Sequence, residues 1–182
     1  MRTRSYLAVL LVVAACGGDD GGGGDDDGGG DVPALSYCDP VRDWPASAIA
    51  LEAQIVTIVN QHRAAGATCG GVAKPSVPPL TTSSALRCAA RVHTKDMSDR
   101  DFFDHTNPSG EDPFERMVRA GYEWSSAGEN IAGGGATAES TMEQWMGSTG
   151  HCNNIMSDRF VDIGVGHVES DRLWTQVFGT PQ

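Results

Sequence analysis

Apolar positions along this 182-residue chain gather into short periodic stretches separated by glycine, proline and aspartate. Over residues 46–65, Ile49, Ile55, Ile58 and Val59 recur at roughly helical spacing and the run stops at Gly66, which predicts a helix. A loop rich in Gly and Pro follows over 67–80. A second helix is expected from Ser83 or Ser84 to about Arg100. Its inner stripe is Leu86, Ala90, His93 and Met97, at steps of four, three and four. On that stripe His93 reads as a packed, hydrogen-bonded core histidine rather than a ligand. His62, on the first helix, reads as structural or solvent-facing. Asp112-Pro113-Phe114-Glu115 carries an N-cap aspartate, a first-turn proline and a glutamate three residues after the cap, so a short helix should run to Ala120-Gly121. Residues 137–146 predict another, with Met142 and Trp145 facing inward. Strands are expected over 161–168 and 173–178, where Gly164 and Gly166 permit close packing against a helix. Helices and strands in separate runs point to an α+β layered sandwich.

The N-terminus has a different character. Arg2 and Arg4 precede an apolar run of ten, residues 6–15. It is too short for a bilayer span of about 20 residues and has the length of a signal-peptide core. Val13-Ala14-Ala15-Cys16 resembles a bacterial lipobox, so residues 1–15 are expected to be a lipoprotein signal peptide and Cys16 the lipidated anchor to a membrane. Residues 17–31 are nine Gly and six Asp. With no apolar side chain to offset the entropy of ordering, residues 16–31 should form a disordered tether, with a root-mean-square span of roughly 20 Å. These aspartates lack the mixed ligands of a calcium loop. Gly17 rather than aspartate follows Cys16, which in a Gram-negative cell favours the outer membrane. The expected location is extracytoplasmic.

Composition narrows the function classes. Residues 32–182 hold 18 acidic and 11 basic side chains, a net charge of −7, which disfavours nucleic-acid partners. Four cysteines remain beyond Cys16: Cys38, Cys69, Cys88 and Cys152. An even number in an exported chain suggests two disulfides, in any of three connectivities. The absence of a C-x2-C spacing argues against a cysteine zinc site.

Candidate chemistry sits in three phrases: Phe103-Asp104-His105-Thr106, Gly128-Glu129-Asn130-Ile131-Ala132 and Gly150-His151-Cys152. Each should place its ionisable residue beside a turn or an element end. His105, Glu129 and His151 can then converge in one cleft to bind a divalent metal such as zinc, bind a polar ligand or perform acid–base chemistry. Two imidazoles and a carboxylate would leave zinc an open position. Ser148 lies three residues before His151, but Met146 breaks a G-x-S-x-G motif. Cys152 beside His151 is disfavoured as a thiol dyad, since neighbours in a chain point apart and an exported thiol is oxidised. Glycines 133–135 read as a turn before a helix cap.

These phrases, together with His93-Thr94-Lys95-Asp96-Met97, Trp145-Met146-Gly147-Ser148-Thr149 and Trp174-Thr175-Gln176-Val177-Phe178-Gly179, resemble the bacterial branch of the CAP superfamily over about residues 48–180. The resemblance implies a three-layer α-β-α sandwich with a central antiparallel sheet and a surface cleft, over residues 46–182 after a lead-in at 32–45. In many members two His and two Glu line that cleft. His105, Glu129 and His151 match three of them, and Ser148 stands where eukaryotic members carry the second Glu. The resemblance also implies a Cys69–Cys152 disulfide, which leaves Cys38 with Cys88. The function expected is that of a lipid-anchored binding or interaction module whose cleft engages a small ligand, metal or partner. The alternative is a metal-assisted hydrolase of envelope peptides or polymers, with Glu129 as base and His105 and His151 as metal ligands.

Overall fold

Alternation along the two C-terminal strands divides the molecule into two apolar cores. The computed structural model describes residues 31–182. After a 3-10 turn at Ser36–Val41 the elements run α1 (Ala46–Ala65), β1 (Ala67–Cys69), β2 (Val72–Lys74), β3 (Thr81–Thr82), α2 (Ser84–Asp99), α3 (Pro113–Arg119), β4 (Trp124–Gly133), α4 (Ala138–Gly147), α5 (Thr149–Ile155), β5 (Asp162–Val168) and β6 (Leu173–Pro181). The main sheet has the order β3-β5-β6-β4 and is antiparallel except for the short β3–β5 pair.

In β5, Ile163 and Val165 enter a core with Ile55 and Val59 of α1 and Trp145 of α4. Gly164 and Gly166 take the other face, against α2. A Cβ on Gly164 would lie 2.1 Å from the Leu86 carbonyl carbon, and one on Gly166 would lie 2.6 Å from that of Ala90. The close packing expected of these glycines is therefore present, and it is backbone against backbone. In β6, Trp174 and Phe178 join the α1–α4 core, while Val177 joins the α2–α3 core with Leu86 and Met117. The result is an α-β-α sandwich of the α+β class.

The anticipated helices form, and three of them carry side-chain caps, of which the Asp112–Glu115 cap was expected. Ser83 Oγ accepts the Leu86 N–H, Asp112 and Glu115 form a reciprocal capping box, and Thr137 caps α4. Leu86, Ala90, His93 and Met97 are all buried. Both disulfides, Cys38–Cys88 and Cys69–Cys152, are formed.

Three features differ from expectation. The 67–80 segment folds partly into the β1–β2 hairpin, whose Cys69 reaches α5. Strand β4 and helix α5 have no counterpart in the pattern reading. Asp31, expected as the last tether residue, instead pairs with Arg87 and Arg91 of α2 and so belongs to the domain. The signal peptide, Cys16 and the remaining tether lie outside the described residues. Among the described residues no helix is long and apolar enough to cross a membrane.

Candidate functional site

Strand β4 is one edge strand of the four-stranded sheet, and its two central polar residues face opposite layers. Glu129 pairs in register with Val177 and shares its α2–α3 face. A lone carboxylate there would be strongly disfavoured, so it must be paired and hydrogen-bonded. The partner is Arg116 of α3, whose guanidinium donates to Glu129 Oε2 at 3.0 Å and Oε1 at 3.2 Å. Both side chains are almost fully buried, at 1% and 2% exposure. Arg116 lies on the inward stripe of α3 with Pro113 and Met117. It also donates to the carbonyls of His105 at 2.7 Å and Glu111 at 3.0 Å. One buried cation thus fixes the carboxylate and both ends of the loop beside it.

That loop presents His105. Asp104 Oδ1 accepts the Thr106 N–H, and Asn107 Oδ1 accepts the Ser109 and Glu111 N–H groups, so local side-chain turns shape the segment. His105 Nδ1 donates to Glu129 Oε1 at 2.8 Å while its side chain stays about half exposed. The hydrogen bond to Glu129 raises the His105 pKa above the ordinary imidazole value, against partial desolvation. Underneath, fully buried His93 donates from Nε2 to the Asp104 carbonyl at 2.9 Å. Burial, only partly offset by Glu129, pushes its pKa down to about 4. The reading of His93 as a hydrogen-bonded core histidine holds, and its Nε2 also lies 3.9 Å from Glu129 Oε1.

On the other face, Asn130 donates to Gln176 Oε1 at 3.1 Å and to the His151 carbonyl at 3.3 Å, and its own oxygen accepts from Asn154 at 2.8 Å. This amide network ties α5 to the sheet edge, and the buried Cys69–Cys152 disulfide ties the same helix to the β1–β2 hairpin. His151 sits in the first turn of α5, half-buried, with Nδ1 buried and unpartnered. Desolvation, then the nearby charge of His105, lowers its pKa. Ser148 joins α4 to α5, half-buried. Among the described residues it makes no side-chain hydrogen bond to either histidine.

The phrases therefore converge, with one correction: Glu129 lies mid-strand rather than at an element end, because Arg116 compensates its burial. Pattern reading missed Arg116, Asn154 and Gln176. Arg116 had a usable signal, since it falls at the i+3 step of an inward stripe made by Pro113, Met117 and Ala120. The divalent metal implied by the resemblance does not fit these residues as arranged. Both Glu129 oxygens face Arg116, His93 Nε2 is bonded to a carbonyl, and among the described residues no three His, Cys, Asp or Glu side chains form a metal-holding group. Roomier depressions lie elsewhere, such as one of about 640 Å³ beside Phe114, Val118 and Trp124. Side-chain chemistry, not enclosed volume, singles out the histidine cluster.

The model for CAP, the cysteine-rich secretory protein family, matches residues 56–178. The chain belongs to the CAP family. Uncharacterized protein YkwD of Bacillus subtilis is 39% identical to this CAP protein over 134 residues, 74% of this chain and 49% of the relative. The chain thus spans about half the length of that relative, and 21% of a second, the uncharacterized membrane protein YlbC of the same organism. Among solved structures, an extracellular protein containing a SCP domain from Bacillus anthracis aligns at TM-score 0.65 and 27% identity, over 72% of this chain and 41% of that one. An outer surface protein from Borrelia burgdorferi aligns at TM-score 0.59 and 14% identity, over 74% of this chain and 92% of that one, which bears on the fold alone.

Proposed function

We propose that this CAP domain is an extracytoplasmic binding module, anchored through a lipid on Cys16, whose cleft takes a small polar ligand or a partner's acidic group. The observation that carries the reading is the division of labour around Glu129. Arg116 already balances the carboxylate, so His105 is oriented by a hydrogen bond while its side chain stays about half exposed to a ligand. A raised pKa makes that ring a good donor to a carboxylate or phosphate. His151 stands nearby as a neutral imidazole. Two disulfides suit an oxidising compartment, in keeping with the extracellular description of the Bacillus anthracis neighbour.

The alternative, a hydrolase with Glu129 as base, is less well supported. A general base must lie within reach of the proton it removes, and Glu129 is 2% exposed with three hydrogen bonds from Arg116 and His105 already on its carboxylate. No Ser or Cys nucleophile touches a histidine among the described residues, and all four cysteines there are disulfide-bonded. The deciding experiment incubates the full chain and its Glu129→Gln variant with labelled casein and with purified peptidoglycan. The binding reading predicts no turnover by either protein. Turnover by the wild type that disappears in a folded Glu129→Gln variant would replace it with the hydrolase.

A further inference from the structure

We propose that Arg116 is the built-in cation of this site, holding at Glu129 the place that a divalent ion would otherwise contest and making the cleft metal-independent. The inference rests on the assignment of His105, Glu129 and His151 to one site, and it says what that site excludes.

Four observations support it. The Arg116 guanidinium contacts both oxygens of Glu129, so it meets the carboxylate over the edge through which a metal would bind. Its charge is permanent, because arginine does not release its proton in proteins, so no physiological pH vacates the position. The side chain is 1% exposed, and its two terminal nitrogens also hold the carbonyls of His105 and Glu111. Moving it aside would therefore break the loop that carries His105 and strand a buried charge. Finally, Nε of Arg116 is buried without a partner, which shows that the arginine is held by its terminal fork alone.

The consequence is specific. A second cation brought to Glu129 meets a like charge within a few ångströms in a poorly screened environment, where repulsion is several-fold stronger than in water. Without Arg116, Glu129 regains open oxygen lone pairs, and His105, once the proton it shares from Nδ1 is released to solvent, adds a nitrogen beside them, a donor pair of the kind that zinc takes.

The test is a zinc titration by calorimetry on the full chain, wild type against Arg116→Met, Arg116→Gln and Arg116→Lys. His105→Ala serves in each background to separate the cleft from the aspartates of residues 17–31. The proposal expects no His105-dependent zinc binding in the wild type or in Arg116→Lys. It expects a His105-dependent site in the neutral variants, tightened at least about tenfold by loss of the adjacent charge. His105-dependent binding in the wild type would overturn it, as would a folded neutral variant that gains none. Should neither neutral variant fold, the wild-type imidazole resonances of His105 and His151 decide. Resonances unmoved by zinc uphold the proposal and zinc-dependent shifts refute it. Zinc is read here without any turnover or organic ligand, so this claim and the binding-module reading fail separately.

Discussion

Replacing Glu129 with alanine is the perturbation whose cost follows most directly from the geometry. The substitution removes a carboxylate that is 2% exposed and leaves Arg116, 1% exposed, as an uncompensated buried charge. It also removes the acceptor of His105 Nδ1. Breaking a buried pair by deleting one partner costs about 3–5 kcal/mol, most of it the orphaned ion rather than the lost attraction. For a domain of this size each kcal/mol shifts Tm by roughly 2–4 °C, so Glu129→Ala should melt roughly 10 °C below the wild type. Urea unfolding with the disulfides intact is the assay, and the midpoint should move with little change in slope. Adding Arg116→Met to Glu129→Ala should recover part of the loss, because the stranded charge is gone. A coupling energy above about 1.5 kcal/mol would fit residues in one buried network. The reasoning is refuted if Glu129→Ala alone costs less than about 1 kcal/mol, the value of an exposed ion pair.

Four further outcomes are expected. His93 takes up its proton near pH 4 in the folded protein but near 6.5 when unfolded. Stability should therefore fall as pH drops from about 6.5 to about 4, by on the order of 3 kcal/mol. His93→Gln should flatten that limb in urea titrations against pH. Gly164→Ala drives a Cβ into the Leu86 backbone and should cost roughly 3 kcal/mol by equilibrium unfolding; a neutral effect would mean α2 lies farther from β5. Replacing Cys38 and Cys88 together with serine opens a loop spanning a separation of 50 residues and should cost about 4 kcal/mol by loop entropy. Cys16→Ser should abolish acyl labelling and membrane retention in cells, and unchanged retention would remove the lipid anchor from the account.

Helices α1 to α4 were legible because their signals are local: apolar spacing ending at Gly66 in α1, and stripes or caps in the others. Asp112, Pro113 and Glu115 announce α3 within four residues, and Leu86, Ala90, His93 and Met97 step regularly along α2. Strand β4 was not legible because its burial is polar. Glu129 is compensated by Arg116 from another element, and Asn130 by Gln176 and Asn154, so no apolar alternation marks it. Helix α5 was hidden for a related reason. Thr149, Gly150 and two asparagines are poor helix formers, and Cys69–Cys152 and the Asn130 network hold the helix in place. His105, Glu129 and His151 could be named from their phrases, whereas Arg116 was marked only as a position on the inward stripe of α3. Its importance exists only once α3 is docked beside β4, which no single segment encodes.

The most direct measurement of the Glu129–Arg116 hub is an NMR titration of the imidazole nitrogens of His93, His105 and His151 from about pH 3 to 9, a range that brackets the ordinary imidazole value. The hub predicts three separated transitions: His93 neutral down to about pH 4, His151 below the ordinary imidazole value and His105 above it. It also predicts that Glu129→Gln lowers the His105 transition, since the bond to Glu129 is what raises it. Three histidines titrating together near about 6.5, or a His105 transition indifferent to Glu129→Gln, would contradict the account.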